Sequence, residues 1–327
     1  MNWPLCQLFQ LLPLLQRVCY PRAVYDTETG EGASAIFSNV MAPIVFQLLF
    51  AGVFGAVIGS FAGCCIHRVP RGQDYTYSDE ELDRLGDAIP PPPPFNEPLR
   101  SQCPKCENIL LWWHNIPILS WLLLRRRCYF CKAPIPARYF IVELVSALIA
   151  LALVTKFGIS PTFFLLIIYV ESLLVLTYID LDYFILPDVI TLPSAAIALA
   201  IGLANSFYPI LDRPIVSGWL EVALGFLVGP GMIWLIGVVY ELVRKRSGLG
   251  QGDIKLLLTV GFLFGPIGSL FAIFVGSLLG AILGPLMLLW RRHGMNEYIP
   301  FGPFLAAAIV VYLFSGYGEA PPFEWLP

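Results

Sequence analysis

Apolar stretches long enough to cross a bilayer recur along this chain, separated by short polar breaks. Crossing the hydrocarbon core takes about 20 mostly apolar helical residues. The runs at 43–65, 139–155, 162–179, 189–207, 218–242, 254–265, 268–290 and 301–315 predict eight transmembrane helices, an all-α polytopic membrane protein. The sixth run is the weak one. Roughly a dozen residues before Gly265 and Pro266 suit a half-helix or one arm of a tight hairpin better than a full span.

The polar breaks divide the chain into an extension at 1–42, a first helix at 43–65, a loop at 66–138 and a membrane core at 139–327. With eight spans, the segments 66–138, 180–188, 243–253 and 291–300 share one side and hold fifteen lysines and arginines. The other side holds four, Arg17, Arg22, Lys156 and Arg213. The basic side is therefore expected to be cytoplasmic, with both termini outside. In the extension, the apolar run 8–15 is broken by Pro13 and lacks a basic flank, so it suits an interfacial or loosely ordered segment better than a cleaved signal. Within the loop, 73–98 is acidic at Asp79, Glu80, Glu81 and Asp83 and then runs through consecutive prolines at 90–94, a sequence suited to an extended spacer.

Composition sharpens the picture. The chain is 57% hydrophobic and 13% charged, with a mean hydropathy of +0.73, which excludes an ordinary soluble domain. The formal charge of −3 reflects clustered groups and points to no nucleic-acid partner; the expected partner is the lipid bilayer. Four of the eight cysteines form two pairs, Cys103 with Cys106 and Cys128 with Cys131. Two such knuckles can surround one tetrahedral zinc, and a cytoplasmic location disfavours disulfides. The alternative is a set of reduced, buried thiols without metal. Four cysteines leave no open coordination position, so the expected zinc is structural and folds a loop too polar to build its own core. His67 and His114 then read as hydrogen-bonded loop or interface residues rather than catalytic ligands.

Two acidic motifs flank helix ends. Asp180, Asp182 and Asp188 lie in DLDYFILPD directly after the third run, and Asp253 closes GLGQGD at the start of the sixth. Carboxylates at a membrane boundary still require a reason. A phosphate-binding loop does not supply one for the glycines, because no strand precedes them and the GK[ST] ending is missing. An aspartate from each of two helix ends on one membrane face can instead form a dyad, one carboxyl protonated and the other ionised, since two close like charges cannot both persist. The ionised member activates water and the protonated one polarises a carbonyl. Serine candidates lack a histidine and acid partner, and the three histidines are His67, His114 and His293. The competing class is an ion-coupled transporter using the same acids, although transport sites tend to lie mid-membrane within inverted repeats and no repeat is visible here.

Several motifs in order, GSFAGCCIHRVP (59–70), SQCPKC and NIPILSW (101–121), the second CxxC, ARYFIVE (137–143), DLDYFILPD, GQGDIK and IPFGPFLA (299–306), resemble the type IV prepilin leader peptidases. The resemblance implies an eight-helix peptidase of the bacterial inner membrane, its active site facing the cytoplasm, that cleaves the basic leader of prepilin and pseudopilin substrates. Its catalytic aspartates would be Asp180, seven residues before Pro187, and Asp253 of GxGD, with Asp182 as the rival in register to Asp180. Members with the four-cysteine loop, here Cys103, Cys106, Cys128 and Cys131, also methylate the new N-terminal residue using S-adenosylmethionine. A peptidase without that second activity is the alternative. No glycine loop after a strand marks a site for the methyl donor, so its binding residues stay unassigned.

Overall fold

The computed structural model describes residues 33–70, 100–103, 105–212, 214–245, 250–291 and 300–316, with side chains of the first helix from Ala42 and of the penultimate helix to Met287. The acidic proline-rich stretch 73–98, most of the extension 1–42 and His293 lie outside the described residues. The helices are α1 (Ala33–Arg68), the short α2 (Leu119–Leu123), α3 (Ala137–Phe157), α4 (Pro161–Tyr183) and α5 (Asp188–Phe207). After these come α6 (Trp219–Phe226) and α7 (Met232–Arg244), which run on through a widened π-helical turn at Leu227–Gly231, then α8 (Gln251–Arg291) and α9 (Gly302–Phe314). Among the described residues no sheet forms, only isolated bridges in the cysteine loop.

Among the described residues six helices are long and apolar enough to cross a membrane, and α9 is apolar but shorter. This falls slightly below the expected eight because one of the six, α8, is two helices merged across a kink. The sixth and seventh runs are two helices joined directly within α8 across a kink at Gly265 (φ 66, ψ −161). The cause is local: Pro266 has no N–H for the Phe262 carbonyl, and only glycine adopts that φ without strain. Other chain segments cover the opened turn. The amide of Val216 donates to Leu263 O at 2.9 Å, and Gly202 of α5 approaches Phe262 O so closely that a Cβ there would sit 2.5 Å away. The first helix also begins at Ala33 rather than at residue 43, inside the expected extension.

The chain forms two compact units, Met1–Cys64 with Asn96–Glu171, and Cys65–Phe95 with Ser172–Pro327. In the first, α1 and α3 meet through small residues. A Cβ on Gly55 would lie 2.5 Å from Ala150 Cβ, and one on Gly59 would lie 2.6 Å from Ser146 Cβ. Such close approach is how membrane helices gain packing energy when lipid offers no hydrophobic contrast. Phe50, Phe54, Phe163 and Phe164 add an edge-to-face cluster of α1 and α4. Inside this unit Ser146 donates to Glu171 at 2.9 Å, so a buried carboxyl of α4 is held by α3. Large side chains such as Phe61, Leu148 and Ile168 face outward, an arrangement that fits hydrocarbon and not water.

In the second unit, α6 and α8 cross at Gly225 and Gly261, where a Cβ on Gly225 would stand 2.1 Å from the Gly261 carbonyl oxygen. Both surfaces are backbone, so nothing can swing aside. Gly225→Ala is expected to lower stability by about 1–3 kcal/mol or more through forced separation of the helices. Thermal unfolding in nanodiscs checks this, with Gly52→Ala as the neutral control, since its added Cβ meets Leu151 Cδ2 at an ordinary 3.7 Å.

Candidate active site and metal centre

Asp180 lies in the last turn of α4, where Phe184 takes positive φ (59°) and donates back to Asp180 O at 2.9 Å, ending the helix. The chain then passes Leu186 and Pro187 and re-enters helix at Asp188, with Thr191 hydroxyl and amide both donating to Pro187 O. This compact turn leaves Asp180 pointing inward: it is 5% exposed, whereas Asp182 is exposed. The amide of Gly302, the first residue of α9, donates to Asp180 Oδ2 at 3.0 Å.

Asp253 sits in the first turn of α8, its amide donating to Gly250 O at 3.2 Å. It is near enough to Asp180 for the charge of one carboxylate to act on the other. One leucine organises the three segments. A Cβ on Gly252 would lie 2.9 Å from Leu186 Cβ, and one on Gly302 would lie 3.2 Å from Leu186 Cδ2 and 2.7 Å from Asp180 Oδ2. Glycine at 252 and 302 thus lets the α8 and α9 starts close on the α4–α5 turn. At the rim, Lys255 Nζ bonds Asp188 Oδ1 at 2.6 Å, tying the start of α5 to the start of α8.

The structure brings together Asp180 and Asp253 of the sequence-derived candidates and leaves Asp182 on the outside of the turn. Sequence reasoning missed Gly302, Leu186 and the Asp188–Lys255 pair as parts of the site. All lie inside the motifs IPFGPFLA, DLDYFILPD and GQGDIK, so the signal was present, but only folding shows which neighbours of the aspartates face them.

The cysteines form the other centre. Each pair sits in the same knuckle: Cys103 N donates to Asn108 O and Cys128 N to Ala133 O, while Glu107 and Lys132, each just after the second cysteine, take positive φ (55° and 57°). The four sulfurs of Cys103, Cys106, Cys128 and Cys131 lie within 4.8 Å of one another, and Cys103 Sγ is 3.8 Å from Cys131 Sγ. Tetrahedral Zn–S bonds of about 2.3 Å require S–S separations near 3.8 Å, so the donor set fits such an ion. Electrostatics agrees. The Asn108 amide draws the Cys106 thiol down to about 6. Cys131, though the Ala133 amide lowers it, is pushed up to about 11 by desolvation and by the sulfurs of Cys106, Cys128 and Cys103. Four thiolates this close need a cation between them.

His114 is buried beside this centre but is no part of it. Its Nδ1 accepts from Leu111 N at 3.2 Å, its ring packs on Trp113, Tyr129 and Phe130, and burial holds its pKa below the usual value. That matches the reading of His114 as a hydrogen-bonded loop residue. In α3, Glu143 accepts from Ile118 N at 2.6 Å, a contact that only the fold reveals.

Comparison with known proteins places both centres in context. Residues 53–157 match the bacterial peptidase A24 N-terminal domain, and residues 163–285 match the type IV leader peptidase family. A protein of Aeromonas hydrophila named prepilin leader peptidase/N-methyltransferase is 36% identical over 278 residues, covering 84% of this chain and 91% of its own length. Its namesake in Burkholderia pseudomallei (strain 1026b) is 32% identical, covering 88% of this chain and 92% of itself. A third protein of that name, from Stutzerimonas stutzeri, is 36% identical over 84% of this chain and 92% of its own length. No solved structure matches.

Proposed function

The chain belongs to the type IV leader peptidase family, and from that premise we propose that Asp180 and Asp253 are its catalytic pair. It is a multi-pass membrane enzyme, a prepilin leader peptidase and N-methyltransferase. The supporting observation is the inward Asp180 at the end of α4, held by the Gly302 amide beside Leu186, which also packs on Gly252 next to Asp253. With one proton shared between the two carboxyls, the ionised member takes a proton from water as it attacks the scissile carbonyl, and the protonated member donates to the carbonyl oxygen. The Gly302 N–H keeps one Asp180 oxygen occupied, which leaves the other for substrate or water. Prepilins and pseudopilins are the substrates we propose, cut at the cytoplasmic face of the bacterial inner membrane. The core 139–327 performs this chemistry and the loop 66–138 holds the metal. An ion-coupled transporter finds no support, since these acids flank helix ends rather than a mid-membrane site.

Asp182 provides a sharp test of the pairing. Asp182→Asn is expected to leave prepilin cleavage in proteoliposomes within about twofold of wild type, as surface changes away from a site usually cost little. Cleavage lost in Asp182→Asn and kept in Asp180→Asn would reverse the assignment. Mass spectrometry of the released mature pilin should show one added N-terminal methyl group; an unmodified product would reduce the chain to a peptidase.

The metal is proposed to be zinc, held by Cys103, Cys106, Cys128 and Cys131, and to act structurally. Emission analysis should find one zinc per chain. A strong chelator or Cys128→Ser should lower the loop's hydrogen-exchange protection, because structural zinc supplies folding energy directly. S-adenosylmethionine is the proposed methyl donor, supplying an electrophilic methyl group to the new N-terminal amine.

A further inference from the structure

The loop with the four cysteines was expected to be too polar to build its own core. Its short helix departs from that. Ile118, just before α2, donates its amide to Glu143 Oε2 at 2.6 Å. Glu143 is two turns into α3, about 9 Å along the axis from Ala137. Since α3 has 21 residues, its length of about 31 Å is nearly all needed to span a hydrocarbon core of about 30 Å. A core filled by α3 from end to end would put Ile118 at or below its edge. Trp121 holds α2 to the same stretch of α3, stacking on Phe140 at 4.5 Å between centroids.

Beside this anchor the loop exposes large apolar groups. Leu119 and Leu122 are more than half exposed, Leu123 is 70% exposed and Trp112 79%. On α3 itself Tyr139, Ile141, Leu144 and Leu148 are exposed in the same way, as a lipid-facing span requires. Directly after α2 come three exposed arginines, Arg125, Arg126 and Arg127, and Arg126 lies over the Trp121 ring at 5.9 Å. Leucines and tryptophan followed by a basic cluster form the pattern of a segment seated in the bilayer interface, apolar groups in the acyl boundary and cations among anionic headgroups.

We infer that Trp112 and the leucines of α2 insert into the same bilayer that holds α3, with Arg125 to Arg127 pairing with anionic lipid phosphates, so that the metal loop is seated on the membrane. The occupant of this surface is thus the lipid around the protein itself. The full chain in nanodiscs tests it. A photoreactive benzoylphenylalanine replaces Leu123 in one variant and Leu119 in a second, Glu107 serves as the water-side control and Ile168 of α4 as the lipid-side control. Irradiation in nanodiscs of mixed phosphatidylglycerol and phosphatidylcholine should give lipid adducts at 119 and 123 comparable to those at 168, and none at 107. In an Arg125→Gln, Arg127→Gln background, the adduct yield at 123 should fall severalfold, to the level seen in phosphatidylcholine alone. Absence of lipid adducts at both leucine positions while 168 reacts, or adducts to another protein chain instead, overturns the insertion. An unchanged yield in the arginine background overturns the headgroup pairing.

Discussion

Asp180→Asn and Asp253→Asn are each expected to abolish prepilin cleavage, lowering the rate by roughly 10²–10⁴-fold or to background, while the protein remains folded in the membrane. The amide matches the carboxyl in size, and at position 180 its carbonyl oxygen can still accept the Gly302 N–H now 3.0 Å from Oδ2. What it cannot do is hold or exchange the proton that the dyad passes between water and the scissile carbonyl. The amide fills the same volume and adds no buried charge, so thermal stability should not fall. Gel analysis of prepilin processing in proteoliposomes, paired with unfolding curves, separates the two outcomes. Normal processing by either variant would remove that residue from the mechanism. Methylation of a synthetic peptide that begins at the mature N-terminus should persist in both, because the proposed role of each carboxyl is confined to peptide-bond cleavage.

The second large effect is expected from one methyl group. In Gly302→Ala the new Cβ would stand 2.7 Å from Asp180 Oδ2 and 3.2 Å from Leu186 Cδ2. Asp180 cannot keep its bond to the residue 302 amide and also clear that carbon, and Leu186 is already packed closely against Gly252. The carboxyl must rotate or the α9 start must withdraw. Displacement of about 1 Å at a catalytic group can cost about 10²-fold in rate, and overpacking adds about 1–3 kcal/mol of lost stability. The fall should appear mainly in kcat, since the substrate's remote contacts are untouched. Gly218→Ala is the control, because a Cβ there meets nothing within 4 Å. Wild-type kcat in Gly302→Ala would mean that the Gly302 amide does not position Asp180.

Much of the architecture is legible from hydropathy because a membrane imposes one length scale on every span. That is why the boundaries of α3, α4 and α5 fall within a few residues of the runs at 139–155, 162–179 and 189–207. The two runs of α8 were legible in the same way, but not how they join. Gly265 and Pro266 announce a break in helical hydrogen bonding, and a break reads equally well as a hairpin or a bend. The bend persists because Val216 and Gly202 cover the freed carbonyls, and those residues are distant in sequence.

The chemistry divides in the same way. Cysteine spacing announced the two knuckles, since a C-x-x-C turn closes locally, whereas their meeting within 4.8 Å was decided by the fold of the loop. The sequence likewise determined that aspartates flank helix ends, that the chain is a membrane protein and which family it resembles. Tertiary structure decided the rest. Asp180 and Asp182 are two residues apart on one helix, hence on different faces, and nothing local says which face turns inward. That was decided by the amide of Gly302, 122 positions away, and by the leucine wedged between two glycines. The depth of α2 was decided by a hydrogen bond to Glu143, for a residue's place in the bilayer depends on its packing partners as well as on its own polarity.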